Sequence, residues 1–214
     1  MPGVFVTGVT KGGCVAGSAC QIFVQQSEGF ADLAAGSQQA IKMFISGNTA
    51  SHFVGVKVGD KVDVDAWAWR YNLNGQNELL LQVNLNLEGC AKPVGTGNPQ
   101  PVTADLAQLT LAAYEETVGP LLVKVNGVSG KPQLPNETFG LWKTGVFVEA
   151  GPETIVSLSP YLLSGGAFTG LPQGTTTKFS SVTGVFGLFS PTADPGAKYK
   201  EIYPRTDAEY PIAP

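Results

Sequence analysis

The residues best suited to touching a ligand lie in one short stretch, Trp67-Ala68-Trp69-Arg70-Tyr71. Alternate side chains of a strand point to opposite faces. Trp67, Trp69 and Tyr71 therefore share one face, while Val62, Val64, Ala66 and Ala68 share the other. With the Val/Ala stripe turned inward, the three rings form an outward ladder beside Arg70, suited to stacking nucleobases or sugar rings. The same rings also suit two structural roles, covering a neighbouring unit or turning into the core at a bulge. An exposed aromatic patch is in addition a common mark of protein contact, self-association included.

Other candidates for chemistry are few. Cys14 and Cys20 flank Val-Ala-Gly-Ser-Ala between two apparent strands, a spacing that suits a hairpin disulfide in an oxidising compartment. Cys90 is then the odd thiol; its pairing with either of the others is equally permitted, and three reduced thiols are a further arrangement. Asp60, Asp63 and Asp65, with Glu78 a hairpin away, invite a calcium reading, but calcium takes about six to eight oxygens from a compact loop. These carboxylates run along a strand, so Gly59-Asp60 reads as the turn that opens it and no metal site is expected. His52, the only histidine, lies in an apparent loop with no Gly-x-Ser-x-Gly elbow or reactive-cysteine signature to complete a triad. No catalytic residue and no cofactor are expected. Arg205, with Asp207 and Glu209 nearby, reads as a local pair that locks the last strand. Lys11-Gly12-Gly13 and Ser164-Gly165-Gly166 lack the ending of a phosphate loop, and Asn136-Glu137-Thr138 matches a glycosylation sequon by pattern alone. The long 161–178 stretch is a further place for a binding surface.

The elements that must position these residues are strands. Segments with period-2 alternation recur in the same order in both halves: 4–9, 21–25, 40–45, 58–64 and 78–83, then 121–128, 145–149, 154–158, 179–185 and 199–202. Ile22-Phe23-Val24 in the first half matches Val146-Phe147-Val148 in the second. Gly95-Thr96-Gly97-Asn98-Pro99-Gln100-Pro101 reads as a linker, and Asp105 before an apolar-periodic stretch predicts a short helix. The expected architecture is all-β: two tandem five-stranded OB-fold-like barrels, at 1–97 and 114–214, joined by a linker and short helix at 98–113.

Composition narrows the setting. Charged residues are 14% of the chain, against roughly 25% in an average soluble domain, while Gly (27) and Pro (15) are plentiful. That balance suits an extracellular all-β protein. The net charge of −4 divides into −1 for residues 1–100 (6 basic, 7 acidic) and −3 for 101–214 (7 basic, 10 acidic). Neither half is basic, which counts against duplex nucleic acid. No apolar run approaches the roughly 18 residues of a membrane span. Met1-Pro2-Gly3 leads directly into a strand without a signal peptide, so a secreted reading expects a mature piece of a longer parent.

Three strings carry a family resemblance: Val58-Gly59-Asp60-Lys61-Val62-Asp63-Val64, then Tyr114-Glu115 leading to Leu122-Val123-Lys124-Val125-Asn126-Gly127-Val128, and Ile202-Tyr203-Pro204-Arg205. Together they resemble the OB-like domains of secreted bacterial proteins that flank endonuclease/exonuclease/phosphatase-type nucleases and occur in myxobacterial surface lipoproteins. The first unit departs from the pattern, lacking the Pro-Arg ending and carrying the Trp-Ala-Trp segment. The resemblance implies a non-catalytic extracellular or cell-surface module. Its expected partner is a single-stranded nucleic acid, a glycan or a protein, the last including self-assembly as a surface or filament subunit.

Overall fold

A computed structural model describes residues 1–71, 78–83, 91–132, 146–149, 155–166, 168–171, 175–189 and 199–213. The alternating segments form two sheets. In the first are β1 (Val4–Val9), β2 (Cys20–Gln25), β3 (Ala40–Ile45), β4 (Asp60–Val64), β5 (Ala66–Tyr71), β6 (Glu78–Val83) and β7 (Ala91–Thr96). They follow the order β5-β6-β3-β2-β1-β4-β7, with β3 and β6 parallel and all other neighbours antiparallel. The second sheet contains β8 (Val102–Thr103), β9 (Leu122–Pro132), β10 (Val146–Glu149), β11 (Ile155–Leu158), β12 (Thr177–Phe189) and β13 (Tyr199–Tyr203). Its order is β10-β11-β13-β12-β9-β8, and β10 pairs with β9 as well as with β11. Here the parallel neighbours are β11 with β13 and β8 with β9.

Each strand expected from the alternation is present, so the chain is mostly β, but the sheets hold seven and six strands rather than five each. Three additions account for the difference. Asp65 interrupts the long fourth segment, so that 60–71 becomes β4 and β5. Gly95 and Thr96, expected in the linker, belong to β7, which pairs with β4 at the sheet edge, a position where a proline such as Pro93 is tolerated. Residues 102–103, also expected in the linker, form β8 against β9. The short helix is a single 3-10 turn, Leu106–Gln108, closed by a capping box in which the Asp105 N–H donates to Gln108 Oε1 at 2.8 Å. A π-helical turn, Ala113–Val118, follows it.

Each sheet turns its apolar stripe inward. The first core gathers Val6, Ile22, Met43, Ile45, Phe53 and Val62. The second is built around Val123, Leu158, Phe179 and Phe186, with the Tyr114 ring packed edge-on against Phe186 at 5.4 Å. A third cluster joins the two sheets: Phe23 of β2 packs with Leu122, Leu162, Val185 and Tyr203. At the same junction β1 carries a bulge between Val6 and Gly8, and a Cβ atom at Gly8 would come within 2.7 Å of Leu162 and 3.2 Å of Val185. Glycine is what lets the backbone of β1 approach the second unit so closely. The β2–β3 connection also contributes, since Phe30 and Leu33 pack on the second core. The segment after β7 is tied back by Glu28, whose Oε1 accepts from the Asn98 N–H at 3.3 Å and whose carbonyl accepts from the Gln100 N–H at 2.5 Å. Packing, and not the linker alone, therefore fixes how the units sit together.

Candidate functional site

The β2–β3 hairpin brings two glutamine pairs together. Gln25-Gln26 ends β2, Gln38-Gln39 precedes β3, and the Gln26 N–H donates to the Gln39 carbonyl at 2.8 Å. The π-helical turn of the second unit meets them. Thr117 lies in its last turn, where carbonyls lack an intrahelical partner, and its carbonyl oxygen accepts from the Gln38 N–H at 2.7 Å and from Ser37 Oγ at 3.3 Å. To make that bond Gln38 adopts φ +57°, the one positive φ outside glycine among the described residues. Such strain costs of the order of 1 kcal/mol and persists only where surrounding contacts over-determine it.

Between these elements lies a recess of about 220 Å³. Val4, Val24 and Ile41 supply an apolar side from the first unit, and Tyr114, Thr117 and Pro120 close it from the second. All four glutamines line it, and Glu115 is its one charged side chain. Gln25 is buried: its amide nitrogen donates to the carbonyl of Ser27 at 2.7 Å, while its amide oxygen has no hydrogen-bond partner. Gln26 and Gln38 are exposed and Gln39 is half-buried. Chemically the recess presents glutamines and the Glu115 carboxylate around an apolar patch, with no lysine or arginine to meet a phosphate; Met1 also lines it, its N-terminal ammonium donating to the Val64 carbonyl at 2.6 Å.

A second polar feature sits in the junction itself. Glu201 of β13, only 4% exposed, lies beside Ser157 of β11 and Gly187 of β12. Burial pushes its carboxyl up to about 8, against the opposing pull of hydroxyl bonds from Tyr203 and Ser159 and of the Lys42 ammonium on β3. The group thus holds its proton at neutral pH. Tyr203 approaches the sheet closely because position 187 is glycine: a Cβ there would fall inside the tyrosine ring.

The residues singled out in the sequence are dispersed. Trp67, Trp69, Arg70 and Tyr71 occupy β5, an end strand of the first sheet, opposite Gln82, Leu80, Leu79 and Glu78 of β6. Their side chains lie outside the described residues. Cys14 and Cys20 form a disulfide with a Cα–Cα distance of 5.3 Å, whereas Cys90 lies outside the described residues, as does the Asn136-Glu137-Thr138 string. Two of the three aspartates have backbone partners: Asp60 accepts from the Lys57 N–H at 3.0 Å and Asp63 from the Gly3 N–H at 2.7 Å. His52 is exposed in a 3-10 turn, Ala50–Phe53. Arg205 holds Glu209 through its backbone N–H and its guanidinium, and also donates across the junction to the Thr7 carbonyl at 3.2 Å. Asp207 instead accepts from the hydroxyls of Tyr210 and Thr169, bonds that hold its carboxyl below the usual range.

Sequence reasoning missed the glutamines. The signal was available, two Gln-Gln dipeptides bracketing one connection, but their meeting with Tyr114–Pro120 is a tertiary event. Among the described residues no cluster of His, Cys, Asp or Glu has the arrangement of a metal site, and no helix is long and apolar enough to cross a membrane. The sequence matches no known protein family and no curated protein.

Proposed function

We propose that this chain is a non-catalytic binding or scaffold module that works outside the cell, built from two tandem OB-fold-like barrels. The observation that carries the reading is a pairing order repeated in both halves. Counting β4 and β5 as one bent strand, the first unit pairs its first strand with the second and fourth, its second with the third, and its third, in parallel, with the fifth. The second unit repeats this with β9 to β13, including the parallel pair between its third and fifth strands and the return of β10 to β9. The reading draws on the likeness of this order to the Greek key expected of a small OB barrel, a scaffold that carries ligands on its surface and loops. The Cys14–Cys20 disulfide supports an oxidising compartment. The resemblance to nuclease-flanking domains agrees with it and rests on the sequence strings alone.

A second reading, a single-stranded nucleic-acid accessory module, draws on the alternate placement of Trp67, Trp69 and Tyr71 on an end strand. Fluorescence anisotropy of a labelled single-stranded oligonucleotide, at low and then moderate salt, separates the two. Binding that weakens with salt and is lost in Trp67→Ala or Trp69→Ala favours the nucleic-acid reading. No binding at low salt removes it. Turnover that survives stringent purification and disappears with one substitution in this chain would overturn both.

A further inference from the structure

We infer that the recess between the β2–β3 hairpin and the π-helical turn binds a single neutral sugar residue, held by its glutamine amides. The inference rests on the reading of the chain as a binding module and names a ligand class for a site away from the aromatic strand.

Three features point to a sugar. The first is size: about 220 Å³ lies below the range of about 300–1,000 Å³ for drug-sized ligands and suits one ring. Chemistry is the second. Each sugar hydroxyl both donates and accepts, and each glutamine amide offers two donors and an acceptor on one rigid plane. Gln26, Gln38 and Gln39, exposed or half-buried, line the recess beside the partly buried Ile41, whose side chain matches the C–H face of a ring, while the Gln25 amide backs it, donating to the Ser27 and Glu28 carbonyls. A nucleotide fits poorly, since no lysine or arginine side chain lines the space and the Tyr114 ring is buried edge-on against Phe186.

The third feature is preorganisation. Backbone bonds, Gln26 N–H to the Gln39 carbonyl and Gln38 N–H to the Thr117 carbonyl, fix the main chain from which these glutamines extend, across two elements of different units. The strained backbone of Gln38 is what a site keeps when its main chain is fixed before the ligand arrives. Both units build the site, so the tandem arrangement itself is required.

The test is saturation-transfer NMR with the intact chain and a panel of methyl glycosides of glucose, galactose and N-acetylglucosamine, followed by titration while the glutamine side-chain amides are observed. At least one glycoside is expected to bind with a millimolar Kd and shift the Gln26, Gln38 and Gln39 amides. Gln26→Ala and Gln38→Gly should each weaken it tenfold or more; glycine accepts φ +57°, so the second change removes the amide and keeps the backbone. Transfer to none of the glycosides, or transfer undiminished in both variants, overturns the inference. So does binding of a nucleoside or an amino-acid amide at these glutamines in place of every sugar. Oligonucleotide anisotropy and an activity screen on the same sample separate this failure from that of the binding-module reading. Ligand binding elsewhere leaves that reading standing, whereas turnover removes it.

Discussion

Replacing Glu201 by glutamine removes the one buried carboxyl at the junction of the two units while keeping its shape. In the folded chain the carboxyl is pushed from an ordinary 4.5 up to about 8, chiefly by burial. A group whose folded value is raised gives stability that is full below the unfolded value and is lost as the pH rises through the folded one. Between about pH 4.5 and 8 the unfolded chain has released this proton and the folded chain keeps it. Stability then falls by about 1.4 kcal/mol per pH unit, to a ceiling of about 5 kcal/mol. That is a large share of the roughly 5–15 kcal/mol that holds a domain together. The Tyr203 and Ser159 hydroxyls and Lys42 favour the ionised form, and about 8 is the value left after their pull. Urea unfolding of the parent and Glu201→Gln, at about pH 5 and about pH 8.5, isolates the group, because every other ionisable side chain is common to both. The variant should match the parent within about 1 kcal/mol at the lower pH and exceed it by several at the higher. Parallel curves would refute the reasoning, since they would mean that Glu201 is solvated or ionised in the fold.

Three further outcomes follow from the packing. Phe23→Ala empties the cluster between the sheets and should cost about 3–5 kcal/mol in urea unfolding, with faster amide exchange in both β2 and β13; loss confined to β2 would mean that the units are energetically separate. Gly187→Ala forces the Tyr203 ring off β12 and should cost about 1–3 kcal/mol or more, which Tyr203→Phe cannot recover, because the clash is with the ring. The double change Cys14→Ser with Cys20→Ser opens a short loop and should cost about 2 kcal/mol; a reducing agent should lower the parent by the same amount and leave the variant unchanged.

How much of this was legible beforehand depends on the range of the information. Alternation is set by neighbours in the chain, so all ten expected strands appear near their expected bounds, and the Cys14–Cys20 pair lies within one hairpin. Asp105 announced its turn for the same reason, because a capping box is complete within four residues. The linker was misjudged at both ends: Gly95-Thr96 and Val102-Thr103 look irregular by composition, yet each found a strand to pair with, β4 and β9. Phe23 reads as an ordinary core residue, and only the packing of two sheets places it between them. Glu201 alternates like any surface residue of a strand, and nothing local says that a second unit covers it. The glutamine recess needs a hairpin of one unit and a π-helical turn about 75 residues further on. The sequence alone determined the strands and the mostly β class, because each follows from spacing along the chain, whereas of the cysteine arrangements it left open the structure holds Cys14–Cys20. Tertiary structure decided which polar groups were buried, strained or brought together, because solvent exclusion and pairing across units depend on which surfaces meet.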